Sequence, residues 1–414
     1  MWRGAKLILL VMIISAGILN YADRQIIAVL KPSLQHDLHW TDIDYANLNS
    51  LFQLASAAAL LFAGRVVDAI GWRRANPVAV GSWSLAAGAH ALVAGGVGFG
   101  AARFALGATE ALGTPTAIKT MAAAFAPAER TLALGLMNAA NGLGAIITPL
   151  AIPLLALAFG WRICFVLTGG LGCLWVAAWL LTRPDRGVSV EPAPGIGHDE
   201  VGKDGTAAPI GRGVWRAVLR DRRTWAIAAA KVLSDQVWWL LLFWAPDLLS
   251  RDFHLGLSSF GGPLAIMYLS ASAGALIVGQ TSKTLLERGV SLDVTRKSGL
   301  LVCALLAMPL SLTTLAPNAA VATAILALTL AAHQGYSTHL FALTTDIIPR
   351  QSVATTISFC AFLGNLAGLA ILQAAGHMLA AGLGYGLLLA YASVSYLLGL
   401  AIIHLLLPRL QPAA

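Results

Sequence analysis

Charged side chains are scarce in this sequence. Only 11% of its 414 residues are Asp, Glu, Lys or Arg, whereas 58% are hydrophobic and the mean hydropathy is +0.75. A soluble domain of this length would not need so much apolar sequence to fill its core. The composition therefore excludes a soluble protein and indicates a polytopic membrane protein.

Cysteine is rare, and the motifs that bind common cofactors are missing. All four cysteines fall in apolar runs without the spacing of metal ligands or of a disulfide framework, at Cys164, Cys173, Cys303 and Cys360. The sequence contains no Walker loop, dinucleotide fingerprint or nucleophile elbow. We therefore predict neither an enzyme nor an ATP-driven pump, and we expect no cofactor and no metal site.

Long apolar runs dominate what is present. Twelve runs of about 18 to 26 residues predict an all-α membrane protein with twelve transmembrane helices, each able to cross a hydrocarbon core about 30 Å thick. They lie near residues 7–31, 45–64, 76–97, 101–124, 131–155, 163–182, 225–249, 260–281, 298–315, 319–344, 353–375 and 384–407.

The positions of the basic residues predict the orientation. If the N-terminus is cytoplasmic, only Lys31, Arg162 and Arg251 fall in loops on the outer side, as the positive-inside rule requires. We expect both termini in the cytoplasm of a bacterial inner membrane. Topology also explains the net charge of +8, so we expect the lipid bilayer as a partner and no nucleic acid.

The longest polar segment, 183–224, divides the predicted helices six and six. We predict an N-terminal six-helix bundle at 1–182, a cytoplasmic linker at 183–224 and a C-terminal six-helix bundle at 225–414. The linker begins with Pro/Gly-rich sequence and ends in a basic amphipathic helix around Trp215, which suits an anionic leaflet. A regulatory partner site there is the alternative. Two related halves are a common plan of transporters.

Adjacent charges interrupt the first predicted helix. Asp23 and Arg24 lie inside an apolar run, where a charge costs roughly 2.5 to 3.5 kcal/mol, so they are candidate functional residues. Arg103 and Glu110, in the antiparallel fourth helix, overlap them in depth. Two acids and two arginines that converge in one cavity could bind an organic anion through a guanidinium group and carry a proton on a carboxylate, because burial favours the neutral form of a carboxylate. Static salt bridges that pin the helices together are the alternative.

The seventh predicted helix carries a second charged pair. Lys231 and Asp235 are four residues apart on one face and can neutralise each other. Trp238 follows as a possible stacking surface, and Pro246 removes a backbone hydrogen bond further along. We predict a substrate contact for Lys231 and Trp238 and a structural or gating role for Asp235. A structural ion pair within an aromatic belt is the alternative reading.

The tenth predicted helix contains a dense polar run. Its candidate substrate ligands are hydroxyl, amide and imidazole side chains, at His333, Gln334, Ser337 and His339. These groups suit a polyhydroxylated ligand. The two histidines are six residues apart and cannot share a helix face, so we predict no metal site. Asn141 and Asn365 are further candidates in the fifth and eleventh helices. The alternative is that these polar side chains form hydrogen bonds between helices and have only a structural role.

The loop at 64–74 resembles the signature between the second and third helices of the major facilitator superfamily. Asp68 can meet a helix end or an arginine, and Arg73 and Arg74 hold the loop in the cytoplasm. Ala69 stands where the signature has an arginine. We assign Asp68, Arg73 and Arg74 to gating or structure.

Several segments together carry a narrower resemblance. They are 20–24 (Asn-Tyr-Ala-Asp-Arg), 64–74, 83–86, 103–110, 160–162, 231–246, 333–341 and 346–349. The chain resembles the anion:cation symporter family of the major facilitator superfamily, nearest to its hexuronate transporters, over nearly all twelve predicted helices.

This resemblance implies uptake of a sugar acid, such as a hexuronate or an aldonate, with protons and by alternating access. By position in the motifs, Arg24 would bind the substrate carboxylate, and we count Tyr21 among the substrate-binding residues. Asp23 and Glu110 would be the proton-linked acids, and Arg103 would interact with them. The resemblance also implies that His333, Gln334 and Ser337 lie near the sugar.

The chain departs from the family pattern at positions expected to line the cavity. Ser56 replaces a tyrosine, Leu112-Gly113-Thr114 replaces Gly-Asn-Phe, and His339 replaces an asparagine. These departures leave the choice of carboxylate open. A proton-coupled exporter of drugs or lipids and a non-transporting anion receptor are the alternative functions, and we expect a monomer.

Overall fold

The computed structural model describes residues 4–125, 127–184 and 212–410; within these ranges, the side chains at 127, 128, 130–132, 134, 138–141, 212, 213, 350 and 351 lie outside the description. Over the described residues, the chain forms fifteen α-helices and no strand. The first eight are α1 (Ala5–Val29), α2 (Lys31–Leu38), α3 (Asp42–Ile70), α4 (Trp72–Ala89), α5 (Gly96–Glu110), α6 (Gly113–Ala124), α7 (Pro127–Phe159) and α8 (Trp161–Thr182). The others are α9 (Arg212–Arg220), α10 (Arg222–Phe253), α11 (Gly261–Glu287), α12 (Leu292–Ala307), α13 (Ala319–Ile347), α14 (Arg350–Ala380) and α15 (Gly386–Leu406).

Helical structure occupies each of the twelve predicted transmembrane segments, which confirms the all-α membrane fold. Ten helical segments among the described residues are long and apolar enough to cross a membrane. The third predicted span corresponds to α4, which has 18 residues and begins close to Arg73 and Arg74. The fourth corresponds to the shorter pair α5 and α6.

A break in the fourth span separates α5 from α6. The first of these helices ends at Glu110 and the second begins at Gly113. Pro115 explains the break, because proline has no N–H and its ring would clash with the carbonyl of Ala111, four residues earlier. The break places a buried acid and a glycine within three residues of each other.

The described chain divides into two compact units. One unit contains the described residues of Met1–Leu30 and Leu54–Pro209, and the other contains those of Lys31–Gln53 and Ile210–Ala414. Residues 31–53 therefore pack with the second unit, whereas the sequence division assigned them to the N-terminal half. Most of the predicted linker, residues 185–211, lies outside the described residues.

Helix α9 forms the described end of the predicted linker. Trp215 packs edge-on against Phe359 of α14, with ring centroids 6.5 Å apart, while Arg216 and Arg220 are exposed. Asp221 then caps α10, because its carboxylate accepts a hydrogen bond of 2.9 Å from the backbone N–H of Arg223. Partial burial acts to raise the pKa of Asp221, but the hydrogen bonds from Arg223 outweigh it and lower that pKa. The cap is therefore charged at neutral pH.

Small residues allow close helix packing in the first unit, where α1 packs on α7 and α4 packs on α8. A Cβ atom added to Gly169 of α8 would lie 2.8 Å from the backbone nitrogen of Gly88 and 2.8 Å from the carbonyl oxygen of Ser84. Backbone atoms cannot swing away from such an overlap. Glycine at this position lets the two backbones approach, as small residues do in membrane helix pairs.

A partly buried ionic network holds part of the second unit. The ammonium of Lys31 lies 2.8 Å from Oδ1 of Asp42 and 2.6 Å from Oδ1 of Asp247. Arg251 contacts both acids, with Nη2 2.9 Å from Asp42 and Nε 3.3 Å from Asp247. The hydroxyl of Tyr385 donates to Asp247. The sequence placed Lys31 near an outer loop, yet its side chain is fully buried.

Gly169→Ala is expected to lower the thermal unfolding temperature of the purified protein in detergent. Overpacking against backbone atoms costs about 1 to 3 kcal/mol. Gly170→Ala is the matched control, because nothing lies within 4 Å of a Cβ at the neighbouring glycine. Equal unfolding temperatures for the two variants would contradict the packing account.

Candidate functional site

A cavity of about 90 Å³ opens within the first unit. Helices α1, α4 and α6 supply most of its described lining, and α7 contributes Met137. The polar and aromatic residues that line it are Asn20, Tyr21, Arg24, Asn76, Trp83, Thr114 and Thr116. This composition joins one cation to several neutral hydrogen-bonding side chains.

Arg24 and Glu110 form an ion pair at the cavity. Oxygen Oε2 of Glu110 accepts hydrogen bonds from Nη2 of Arg24 at 2.9 Å and from Nε at 3.1 Å. The side chain of Glu110 is 0% exposed, whereas that of Arg24 is 16% exposed. The guanidinium also lies 5.4 Å from the ring centroid of Tyr21. The arginine therefore faces the cavity while its acid lies behind it.

Asp23 lies close to the Arg24–Glu110 ion pair but is not part of it. The residue is 2% exposed, and neither carboxylate oxygen has a hydrogen-bond partner of ordinary geometry among the described residues. Thr168 of α8 and Glu110 are its polar neighbours. Fully buried Arg103 is close enough to interact electrostatically with both acids. Two acids and two arginines thus form one buried cluster.

The second unit contains its own polar cluster. Lys231 Nζ lies 2.8 Å from Oδ1 of Asp235 and 4.9 Å from the ring centroid of Phe341. Trp238 stacks on His333, with centroids 5.3 Å apart and an interplanar angle of 19°. Lys231 is also close enough to His333 for an electrostatic interaction. The structure therefore brings these predicted residues of α10 and α13 together.

Among the described residues, no side-chain hydrogen bond joins the other predicted substrate-binding residues of the second unit to the cluster of Lys231, Trp238 and His333. Ser337 is buried and Gln334 is half-buried on α13. The amide of Asn365 donates to the carbonyl of Ala361 in its own helix at 2.9 Å. His339 is buried close to Gly299 of α12 and away from the stack at His333. The side chain of Asn141 lies outside the described residues.

The residues assigned to gating occupy one end of α3 and the start of α4. Asp68 accepts a hydrogen bond from the ammonium of Lys119 on α6, a partner other than the helix end or arginine that the sequence suggested. The guanidinium of Arg73 lies 4.9 Å from the ring centroid of Trp72. Arg74 is exposed.

Several site residues were missed by sequence reasoning. Asn76 lines the cavity and donates to the hydroxyl of Thr120 at 2.8 Å. Trp83 and Thr116 also line it. A polar residue inside a predicted span was the available signal, but the apolar pattern does not show which face of a helix meets a cavity.

Comparison with known proteins places the chain among membrane transporters. A family model described as the Major Facilitator Superfamily matches residues 13–372. The "Hexuronate transporter" of Escherichia coli (strain K12) is 27% identical, and the alignment covers 99% of this chain and 96% of that protein. The "Probable L-galactonate transporter" of the same strain is 28% identical over 68% of this chain and 62% of its own length.

A solved structure shares the fold. It is a bacterial homolog of the human lysosomal transporter Spinster, crystallised in an inward-facing and occupied conformation, with a TM-score of 0.74. Its sequence is 18% identical, and the match covers 98% of this chain and 97% of that one.

Breaking the Lys231–Asp235 pair from one side is expected to destabilise the protein more than removing both charges. Lys231→Met leaves the carboxylate of Asp235, which is only 14% exposed, without its cation. Removing one partner of a buried ion pair costs about 3 to 5 kcal/mol, and Lys231→Met with Asp235→Asn is expected to restore most of the loss. Thermal unfolding in detergent measures both effects.

The matched control is Lys283→Met. Lys283 and Glu287 have the same spacing of four residues, but their side chains are 64% and 63% exposed. Exposed pairs contribute little, so this change should leave the unfolding temperature unaltered. Equal effects of Lys231→Met and Lys283→Met would show that the buried pair has no special cost.

Proposed function

Since the chain belongs to the Major Facilitator Superfamily and is a multi-pass membrane transporter rather than an enzyme, we propose that it imports a sugar acid together with protons. The substrate class is a hexuronate or an aldonate. The names of the similar transporters support this class, and so does a cavity with one arginine among neutral polar groups.

The Arg24–Glu110 ion pair is the observation that carries the proposal. A substrate carboxylate in the cavity competes with Glu110 for the guanidinium, because an arginine fork binds carboxylates in paired hydrogen bonds. Displaced Glu110 would then be a buried acid without its cation. An ionised carboxylate in that position is costly, so it takes up a proton. Anion binding and proton binding are coupled through one arginine.

Asp23 is the second proton-linked acid in this proposal. Its carboxylate is buried, with Thr168 as a polar neighbour but no hydrogen bond of ordinary geometry from the described residues, and burial favours the protonated form on the same physical ground. Arg103 interacts electrostatically with both acids, and in this proposal it stays in place while Glu110 exchanges Arg24 for a proton.

In the proposed cycle, the acids are protonated from the outside and Arg24 binds the substrate carboxylate. The site then closes to the outside and opens to the cytoplasm, where the substrate and the protons are released. Lys231, Trp238 and His333 are proposed substrate contacts of the second unit. We place the protein in a bacterial inner membrane with both termini in the cytoplasm, as a monomer. Protons are the proposed coupling ion, and no other cofactor is required.

Uptake of labelled glucuronate into proteoliposomes tests this function. Accumulation is expected when the outside is more acidic than the inside, and a protonophore should abolish it. Arg24→Ala should reduce uptake by at least about 30-fold, because removing one partner of a buried charge pair costs about 2 kcal/mol or more.

Arg162→Ala is the matched control for Arg24→Ala. This arginine is exposed in the same unit, with its guanidinium 4.3 Å from the ring centroid of Trp161, and its loss should leave uptake unchanged. Uptake that ignores the proton gradient would contradict the coupling. Absence of uptake for every uronate and aldonate offered would contradict the substrate class.

A further inference from the structure

The cavity has a second wall besides the ion pair. The start of α6 lines it through Gly113, Thr114 and Thr116, opposite side chains of α1 and α4. Asn20 and Trp83 are the neighbours that approach this wall most closely at Gly113. We call the group formed by Asn20, Trp83, Gly113 and Thr116 the Gly113 subsite.

Gly113 keeps this part of the cavity open. A Cβ atom built on it would lie 3.3 Å from Cζ3 of Trp83 and 3.6 Å from Nδ2 of Asn20. The first distance is closer than ordinary van der Waals contact, so even a methyl group must displace the indole by a few tenths of an ångström. Any larger side chain would occupy the space between Trp83 and Asn20.

Three polar groups in the subsite have no hydrogen-bond partner within the part of the chain that the structure describes. The indole N–H of Trp83, the amide nitrogen of Asn20 and the hydroxyl of Thr116 are buried with no hydrogen-bond partner among the described residues. Trp83 and Thr116 are each only 2% exposed. Such groups are rare in native proteins, because each costs about 1 to 3 kcal/mol when left unsatisfied. A ligand with hydroxyl groups supplies the missing acceptors and donors.

The beginning of α6 forms part of the same wall. No side chain caps this helix, whose N-cap position is Leu112. The first N–H groups of a helix have no partner within it, and the positive end of the helix dipole lies there. Pro115 has no N–H and the N–H of Thr116 bonds to the carbonyl of Leu112, so Gly113 and Thr114 are the positions whose backbone N–H groups could serve an oxygen-rich ligand.

The distribution of charge decides which end of the ligand binds here. Arg24 is the one charged residue among the described residues that line the cavity, and it already holds Glu110. A second carboxylate at the Gly113 subsite would therefore find no cation to match it. Neutral hydroxyl groups match the unpartnered indole, amide and hydroxyl without a cost in buried charge.

We propose that the Gly113 subsite binds the uncharged, hydroxyl-bearing end of a monocarboxylic acid whose carboxylate binds at Arg24, and that Gly113 determines specificity. This inference rests on the proposed function, because it takes Arg24 as the carboxylate site. The subsite then discriminates between acids by the orientation of their hydroxyl groups.

Binding of two epimeric uronates tests the proposal. Dissociation constants for glucuronate and galacturonate are measured by titration calorimetry on the full-length protein in detergent, for the wild type and for Gly113→Ala. The ratio of the two constants is expected to change at least threefold in the variant. Gly170→Ala is the matched control and should leave both constants unchanged, since nothing lies within 4 Å of that position.

Trp83→Phe provides an independent variant that keeps an aromatic ring and removes the N–H. It should also change the ratio of the two constants, whereas Arg24→Lys should weaken both uronates by the same factor. Thermal unfolding of each variant verifies that it is folded, and Trp83→Phe decides the matter if Gly113→Ala does not fold. A ratio that stays constant in the folded subsite variants would overturn the proposal.

A six-carbon aldarate tests the claim that the second end is uncharged. With a carboxylate at both ends, it is expected to bind at least tenfold more weakly than either uronate to the wild type. Equal binding of the aldarate would overturn the assignment of the subsite to hydroxyl groups. A wild-type protein that binds neither uronate would instead contradict the proposed function, so the two failures are distinguishable.

Discussion

A charged side chain inside a membrane needs an opposite charge within the protein, because hydrocarbon solvates neither ion. The described helices meet this requirement repeatedly. Arg24 pairs with Glu110 in the first unit, and Lys231 pairs with Asp235 in the second. At the ends of two further helices, Arg296 of α12 pairs with Asp346 of α13 at 2.8 Å. These pairs connect neighbouring helices or neutralise charges within one helix.

The Arg24–Glu110 pair lies at a cavity of about 90 Å³, whereas Lys231 of the second pair lines one of only about 10 Å³. Its arginine reaches a cavity, while its acid is fully enclosed. Under the proposed function, an outside anion takes the place of the acid without leaving the arginine unpaired. The cost would then fall on Glu110, and a proton would remove it. In this proposal the same contact is a salt bridge at rest and couples the two ligands when an anion enters the cavity.

Counting residues along a helix predicted well how deep a side chain lies in the membrane, but it predicted poorly which neighbouring helix the side chain faces. The overlap in depth of Arg24 with Glu110 followed from a rise of about 1.5 Å per residue. The same reasoning could not show that His339 lies near Gly299 while His333 stacks on Trp238. Which face a side chain occupies depends on packing partners that are distant in sequence.

The break in the fourth span and the burial of Lys31 were also missed. Pro115 was a visible signal for the break, but the run around it is apolar enough to suggest one continuous helix. Lys31 ends the first apolar run, which predicts a place at the outer side of the membrane. Its partners Asp42 and Asp247 are far from each other in the chain, so the sequence does not indicate that the three residues meet. Long-range charge pairing is a tertiary property, so local hydropathy does not reveal it.

Proton uptake on substrate binding tests the exchange at Arg24 most directly. Purified protein in weakly buffered detergent solution near neutral pH is mixed with glucuronate, and the pH change is recorded with a soluble indicator. The wild type is expected to take up about one proton per bound uronate, because binding transfers Glu110 from its arginine to a proton. Glu110→Gln should bind uronate with a smaller uptake. Binding by the wild type without any uptake of protons would contradict the coupling of the two events.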